Sequence, residues 1–398
     1  MTATQTIQFT ERRDSTAGAY RNATCGFKNY WYPVCKATQV GDKPMALKLL
    51  DEPVMLVRRH GVAYAIADQC PHRGTQLSIG YNEFPQTSTI VCRYHGWTFD
   101  LGTGKCVGVL CEGPDSAVVG KVRVRTYPLE ERAGILWIWM GSLPPVPLEE
   151  DVPRFLLRPD AVVRVRYRTR YGNWRWHAEN VAGGHAQLVH KYSIRQYFER
   201  PVAYPADLDP RPYSDADGEG LISGNRFLEH RESGSYPGLG EWPRLSWLHR
   251  LVLALTPNPP FRPVEGLTES MLRLPGIYRV LHHPIRDCIY YEWWVPVDAD
   301  HYVYFQVTTA HPKNLWQRWR FNLAYYLWGL PIGVVLFNNQ DSFMVKQTTE
   351  YAKRTGWVYL SKATKQDKLH LLWRELCDRS ARAVGWQYST DGVDSPRH

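Results

Sequence analysis

Two short segments carry the residue types best suited to chemistry: Cys70-Pro71-His72-Arg73-Gly74 and Cys92-Arg93-Tyr94-His95-Gly96-Trp97. They read C-x-H, nineteen residues, then C-x-x-H. Each offers one thiolate and one imidazole. Such a set can satisfy a tetrahedral zinc, or one [2Fe–2S] cluster with both cysteines on one iron and both histidines on the other. Zinc fingers usually pair like ligands. A mixed pair in each segment suits a diamond-shaped cluster, because two parallel loops must each reach both irons. Gly74 and Gly96 follow the ligands and let backbone N–H groups approach a sulfide closely. Imidazole ligation would raise the potential above that of all-cysteine ferredoxins by roughly several hundred millivolts. The centre would then be a middle-range electron relay.

A second constellation lies further along: Asn173-Trp174-Arg175-Trp176-His177-Ala178-Glu179-Asn180, then Gly183-Gly184-His185, then His190. Two histidines at i and i+5 stand ~140° apart on a straight helix and cannot share a metal there without a bend or a helix end. The paired glycines before His185 supply room for one. Taken alone, the pattern fits packing histidines as well as ligands.

With those residues in view, a resemblance can be stated. Asp68 to Ser78 and Ser88 to Asp100 resemble a Rieske domain, specifically that of the oxygenase component of Rieske non-heme iron ring-hydroxylating oxygenases. Upstream, Phe27 to Val34 and Leu47 to Leu50 are similar to the carbazole 1,9a-dioxygenase type. Downstream, Phe337-Asn338-Asn339-Gln340-Asp341 and Gly356-Trp357 resemble the same group. The resemblance implies a [2Fe–2S] cluster on Cys70, His72, Cys92 and His95. It also implies one mononuclear Fe(II) on His185, His190 and Asp341, a 2-His-1-carboxylate triad with open positions for O2 chemistry. Asp341 is read here as opening a helix, where its charge would be favoured. Related proteins form head-to-tail homotrimers that set each cluster beside a neighbour's iron. Their subunits pair an all-β Rieske domain with an antiparallel sheet wrapped on a long C-terminal helix, a helix-grip-like α+β fold. The family places an aspartate three residues before its first histidine ligand, as the bridge between the centres. Ala182 stands there in this chain. Glu179, Asn180 or a water is left as the substitute.

Length and composition agree with this class. A chain of 398 residues, 44% hydrophobic, has room for two sizeable cores. Met1 to Thr10 is polar and reads as no signal peptide. Eight cysteines are sparse for this length, which favours a reducing, cytoplasmic setting over a disulfide framework. The net charge of +9 raises the question of nucleic acid, but no recognition motif accompanies it. Arg164, Arg166, Arg168 and Arg170 alternate with other residues and share one strand face. The spacing predicts a solvated sheet face; a docking surface for an acidic redox protein is the second reading.

Residues 1–27 read as a polar lead-in, 28–145 as a small β domain carrying the cluster, and 146–398 as the catalytic domain. Pro144-Pro145-Val146-Pro147 is the expected connection. Ile289–Val297 and Tyr302–Val307 predict a hairpin. Leu369, Leu372, Trp373, Leu376, Ala383 and Val384 predict a helix ended by Gly385. Trp242, Trp247, Trp293, Trp294, Trp316, Trp319 and Trp328 are read mostly as packing residues. Phe321 to Phe337 carries no charge but is interrupted by Asn322, Gly329, Pro331 and Gly333, and reads as a buried or interface segment, with an apolar entrance or membrane-surface contact second.

The expected function is the terminal oxygenase of a multicomponent enzyme. Electrons would come from NAD(P)H through a separate ferredoxin, ferredoxin reductase or both, since no flavin or nicotinamide motif is present. The substrate would be apolar, aromatic or polycyclic. The alternatives are a monooxygenase, demethylase or oxidative cyclase on a biosynthetic intermediate, an electron-transfer protein lacking the iron, and a zinc-stabilised binding module without redox activity.

Overall fold

The computed structural model describes residues 18–113, 115–181, 186–190, 193, 207–208, 210–222, 225–226, 235–236, 240–241, 247, 251, 270–281, 283–356, 364 and 367–384. Ala182, Gly183, Gly184, His185, Trp242, Trp357 and Gly385 lie outside them.

The first half is built of short antiparallel strands. Val54–Val57 and Ile135–Trp139, apolar runs bounded by turn residues, lie in strands Glu52–Arg59 and Ile135–Met140. Three small sheets result. Ile135–Met140 sits between Leu129–Arg132 and Tyr30–Lys36. Glu52–Arg59 lies between Met45–Leu49 and Val62–Ala67. Thr89–Val91, Trp97–Asp100 and Cys106–Val109 make the third. Met55, Val57, Ile66, Ile90, Phe99 and Val109 form a local core around Cys70 and Cys92.

The second half is organised by a seven-stranded antiparallel sheet. Its order is Val162–Tyr171, His301–Ala310, Ile289–Pro296, Ile277–Leu281, Met271–Arg273, Gly218–Ile222 and Arg211–Asp215. The expected hairpin is present, with Trp293 opposite Phe305. All eight residues of Ile289–Pro296 are buried, because both faces of the strand are covered. Trp293 points toward the first half and meets Trp137 at 5.6 Å between ring centroids. Trp294, on the other face, stacks on His177 of the helix Trp174–Asn180. One core therefore runs through both halves. Backbone bonds reinforce the join: Leu50 donates to Pro296 and Asp51 to Val297, at 2.8 and 2.9 Å.

Against this sheet lies one helical run from Leu315 to Thr355, 41 residues long. It is α-helical over Leu315–Ala324, π-helical over Tyr325–Leu336, and α-helical again over Phe337–Thr355. The wider π turns accommodate Pro331. Gly329 and Gly333 let the run pass against Pro284; a Cβ on Gly333 would stand 2.4 Å from the proline's Cβ.

Five expectations change. Asp341 lies inside this run rather than at a helix start, so the helix-dipole argument does not apply to it. The last helix stops at Ser380; Ala383 and Val384 form a strand paired with Lys28 and Phe27. The arginine stripe is not a solvated face. Arg164 donates to Asn322, Arg166 to Gln306 and Arg170 to Asn339, leaving Arg168 exposed. Phe321–Phe337 is buried along one face only. The lead-in is anchored too: Tyr20, Ala23 and Phe27 are buried, and Phe27 packs edge-on against Trp174.

Candidate active site: two centres on one chain

The two candidate ligand loops fold alike, and the reason is local. In the first, Gly74 N–H donates to the Cys70 carbonyl and Cys70 N–H to the Thr75 carbonyl, both at 2.8 Å. In the second, Gly96 N–H donates to Cys92 at 3.0 Å and Cys92 N–H to Trp97 at 2.7 Å. The donors and acceptors occupy the same relative positions. Both glycines adopt positive φ, 73° and 67°, which a side chain would strain. Asp68 clamps the first loop by accepting from the Ser78 N–H and hydroxyl, at 2.6 and 2.7 Å.

Cys70 and Cys92 are buried, whereas His72 is exposed and His95 half-buried. The imidazole rings lie 4.7 Å apart and His72 stacks on Trp97. Burial pushes the Cys70 thiol up to about 11, with the neighbouring Cys92 adding to the rise. Thiolates at neutral pH therefore require a cation there. His95 is held below its usual value by desolvation and then by the charges of His72 and Arg73, which keeps its ring neutral, as a ligand must be. Among the described residues no three His, Cys, Asp or Glu side chains converge on one point. The four instead sort into an inner thiol pair and an outer imidazole pair, which fits a two-iron cluster.

The second centre forms where three segments meet. Trp174–Asn180 is capped by Asn173, whose side chain accepts from the Arg175 N–H. A single turn, Ala186–Val189, follows and delivers His190. Asp341 comes from the long helix. His190 Nε2 stands 3.2 Å from Asp341 Oδ1. Both side chains are buried, and His190 stacks on Phe337 at 3.6 Å. His190 Nδ1 donates to Gln340 Oε1 at 2.8 Å, which aims Nε2 at Asp341. That is how a metal-bound imidazole is oriented by its outer partner. Asn180 donates to Asp341 Oδ1 at 3.0 Å. The imidazole-carboxylate set suits Fe(II).

The candidate bridging residues part company. Glu179 Oε1 accepts from Tyr20 and from Arg374, each at 2.7 Å. It ties the lead-in to the helix Lys368–Ser380, while its neighbour Asn180 turns to Asp341. Consecutive helical residues point ~100° apart, so the two cannot serve one side together.

Several site residues were not anticipated. Glu292, on the sheet beneath the long helix, accepts from Tyr304 at 2.5 Å and from Asn338 at 3.2 Å. Asn338 also donates to Tyr290, which accepts from Gln306 as well. His177 is hydrogen-bonded to Tyr302 at 2.6 Å. A lone carboxylate inside the apolar run Ile289–Pro296 was the available signal. Burial pushes the Glu292 carboxyl up to about 8; the charge of Asp341 adds to this and the tyrosine hydrogen bonds oppose it. Folded Glu292 therefore keeps a proton that the unfolded chain releases from about 4.5 upward. Its contribution to stability is present below that value and lost as pH rises toward 8. Glu292→Gln should remove the loss. In thermal melts the variant should gain about 3 °C or more on the parent between pH 5 and pH 8, the change expected for roughly 1 kcal/mol. An unchanged difference across that range would mean that Glu292 ionises normally.

Comparison with known proteins identifies the family. Residues 30–128 match the Rieske [2Fe-2S] domain family, and residues 139–221 and 260–385 match the homotrimeric ring hydroxylase family. The terminal oxygenase component of carbazole 1,9a-dioxygenase from Sphingomonas sp. is 30% identical over 385 residues, 94% of this chain and 97% of that protein. The structure superposes on the oxygenase in the reduced oxygenase–ferredoxin complex of carbazole 1,9a-dioxygenase with a TM-score of 0.77, at 26% identity and 96% coverage of both chains. The 2-oxoquinoline 8-monooxygenase component gives 0.74, at 27% identity, covering 92% of this chain and 89% of that one. The cofactors of this class are a Rieske [2Fe–2S] cluster and a mononuclear iron. The chain belongs to the Rieske non-heme iron ring-hydroxylating oxygenases.

Proposed function

We propose that this oxygenase, supplied with electrons by a ferredoxin that is reduced in turn from NAD(P)H, oxygenates an apolar aromatic or polycyclic substrate. The pairing of His190 with Asp341 on the same chain as the two cluster loops is the observation that supports it best. The names of the relatives support both the aromatic substrate and the ferredoxin. In the proposal Cys70, His72, Cys92 and His95 hold the cluster, and His185, His190 and Asp341 hold the iron. His185 lies outside the described residues. When bound, the two centres supply electron storage and O2 activation. The chain's own residues orient and insulate them. Gln340 fixes the His190 tautomer, Asn180 holds one oxygen of Asp341, and Phe337 keeps water from the imidazole face. Asn180, in contact with a ligand, is the better positioned of the two candidates to replace the bridge missing at Ala182; Glu179 is engaged by Tyr20 and Arg374.

The outward imidazole pair implies that electrons enter and leave at the tip formed by His72 and His95. Exposed Tyr94 and Leu110 beside it offer an apolar rim for a partner. The family description supports a homotrimer; a head-to-tail arrangement of it would bring that tip to a neighbour's iron. We also place the division between cluster and catalytic domains at residues 145 and 146, where Trp31 holds the Val146 carbonyl at 2.7 Å. The relatives are oxygenase components of multicomponent systems, which supports a soluble, cytoplasmic protein.

The test is reconstitution with ferredoxin, reductase and NADH against carbazole-like and other polycyclic aromatics under 18O2. Two labelled oxygens in the product support dioxygenation, and one supports the monooxygenase reading. Reduced protein that gives no labelled product with any aromatic would refute the substrate class.

A further inference from the structure

The long helical run leaves one face uncovered. Leu315, Trp316, Trp319, Leu323, Tyr326 and Leu327 are 83, 64, 53, 43, 55 and 70% exposed. Leu315, Trp316, Trp319 and Leu323 share one side at α-helical spacing, and exposed Tyr326 and Leu327 carry the apolar surface into the π segment. The opposite side, with Phe321, Tyr325, Gly329, Gly333 and Val334, is packed into the protein. Soluble surfaces rarely gather so many large apolar side chains unless something covers them.

The flanking chemistry narrows what that is. Trp316 and Trp319 stack on each other at 4.9 Å. Beside them are Lys313, Arg318 and Arg320, all exposed, and residues 313–336 contain no Asp or Glu. Arg164 adds a guanidinium 5.8 Å from the Tyr326 ring. Asp287, 3.7 Å from Arg320, is the acid in reach, and both are well exposed. Interfacial aromatics beside exposed cations are the pattern of a helix lying in the headgroup layer. A second copy meeting this face with its own would set the same cations, Lys313, Arg318 and Arg320, against each other. An anionic bilayer instead complements them. By length and composition alone the run could cross a membrane. Its packed side and the buried Asp341 rule out crossing.

We propose that the exposed Trp316–Leu327 face docks this oxygenase, as a peripheral protein, on an anionic lipid surface. The face continues into the helix that supplies Asp341, so docking would set the catalytic half at the membrane.

The experiment is co-sedimentation of the purified holoenzyme with phosphatidylcholine vesicles, with and without phosphatidylglycerol. Trp316→Ser/Trp319→Ser is the apolar variant and Arg318→Glu/Arg320→Glu the charge variant; all four positions are exposed, so the fold should survive. The parent should bind the anionic vesicles and release as salt rises from about 0.1 to about 1 M. Each double variant should lose about tenfold or more in partitioning. Parent protein that stays in the supernatant, or variants that bind as the parent does, would overturn the proposal. So would a Trp316→Ser/Trp319→Ser protein whose oligomer falls apart by light scattering, since the face would then belong to another copy.

Discussion

His190→Ala should abolish oxygenation and leave the visible spectrum of the protein unchanged. The ring supplies Nε2 toward Asp341 at 3.2 Å, and Gln340 exists in the site to aim it. Alanine leaves one nitrogen ligand in place of two. A loss of at least about a thousandfold in coupled product formation is expected, equivalent to about 4 kcal/mol of barrier. The two cluster loops lie in a separate core around Cys70 and Cys92, so their absorbance should not move. Gln340→Leu is the milder companion. It frees the imidazole to rotate and should cost roughly 10–100-fold in activity or iron affinity, the range found for outer partners of ligating histidines. Full product yield from His190→Ala would remove this residue from the iron site.

The second large effect belongs to the thiols. Cys92→Ser should give a colourless protein that accepts no electrons. Cys92 is buried beside Cys70 within the local core, so a serine hydroxyl there also places a polar group among apolar neighbours. Removal of one thiolate leaves the other without a partner, and burial, the largest cause of the raised Cys70 thiol, remains to hold its proton. Thermal unfolding of the cluster-bearing half should come at least several degrees earlier, because metal binding and folding are coupled. The tertiary core shared through Trp137 and Trp293 predicts that the catalytic half is weakened as well. A coloured Cys92→Ser protein that still reduces would contradict the ligand assignment.

How far the sequence was readable depended on the range of the interaction concerned. The turns of the two Cys-His loops were legible because each is a local device: cysteine, glycine and closing hydrogen bonds fall within six residues of one another. Strands with apolar runs, such as Ile135–Met140, were legible for the same reason. The iron site was not legible from spacing. His190 and Gln340 are 150 positions apart, and only the resemblance joined His190 to Asp341. Asp341 looked like a helix start because Met344, Val345 and Tyr351 follow it at helical spacing. Packing of Gly329 and Gly333 on Pro284 and Ile285 carries the helix through them as a π segment. Ala383 and Val384 fitted a helical period, yet their partner is Phe27–Lys28 at the far end of the chain. The arginine stripe was placed on the correct strand face, but what covers that face was invisible until Asn322 and Asn339 arrived from the long helix. Glu179 and Asn180 were singled out together; only the folded neighbours, Tyr20 and Arg374 for one and Asp341 for the other, separate their roles.

The central claim is that one polypeptide holds both an electron-storing cluster and an oxygen-activating iron. Metal and acid-labile sulfide analysis of the purified holoprotein addresses it most directly. About three irons and about two sulfides per chain are expected, two of each from the cluster and one iron from the mononuclear site. One zinc per chain with no labile sulfide would contradict it.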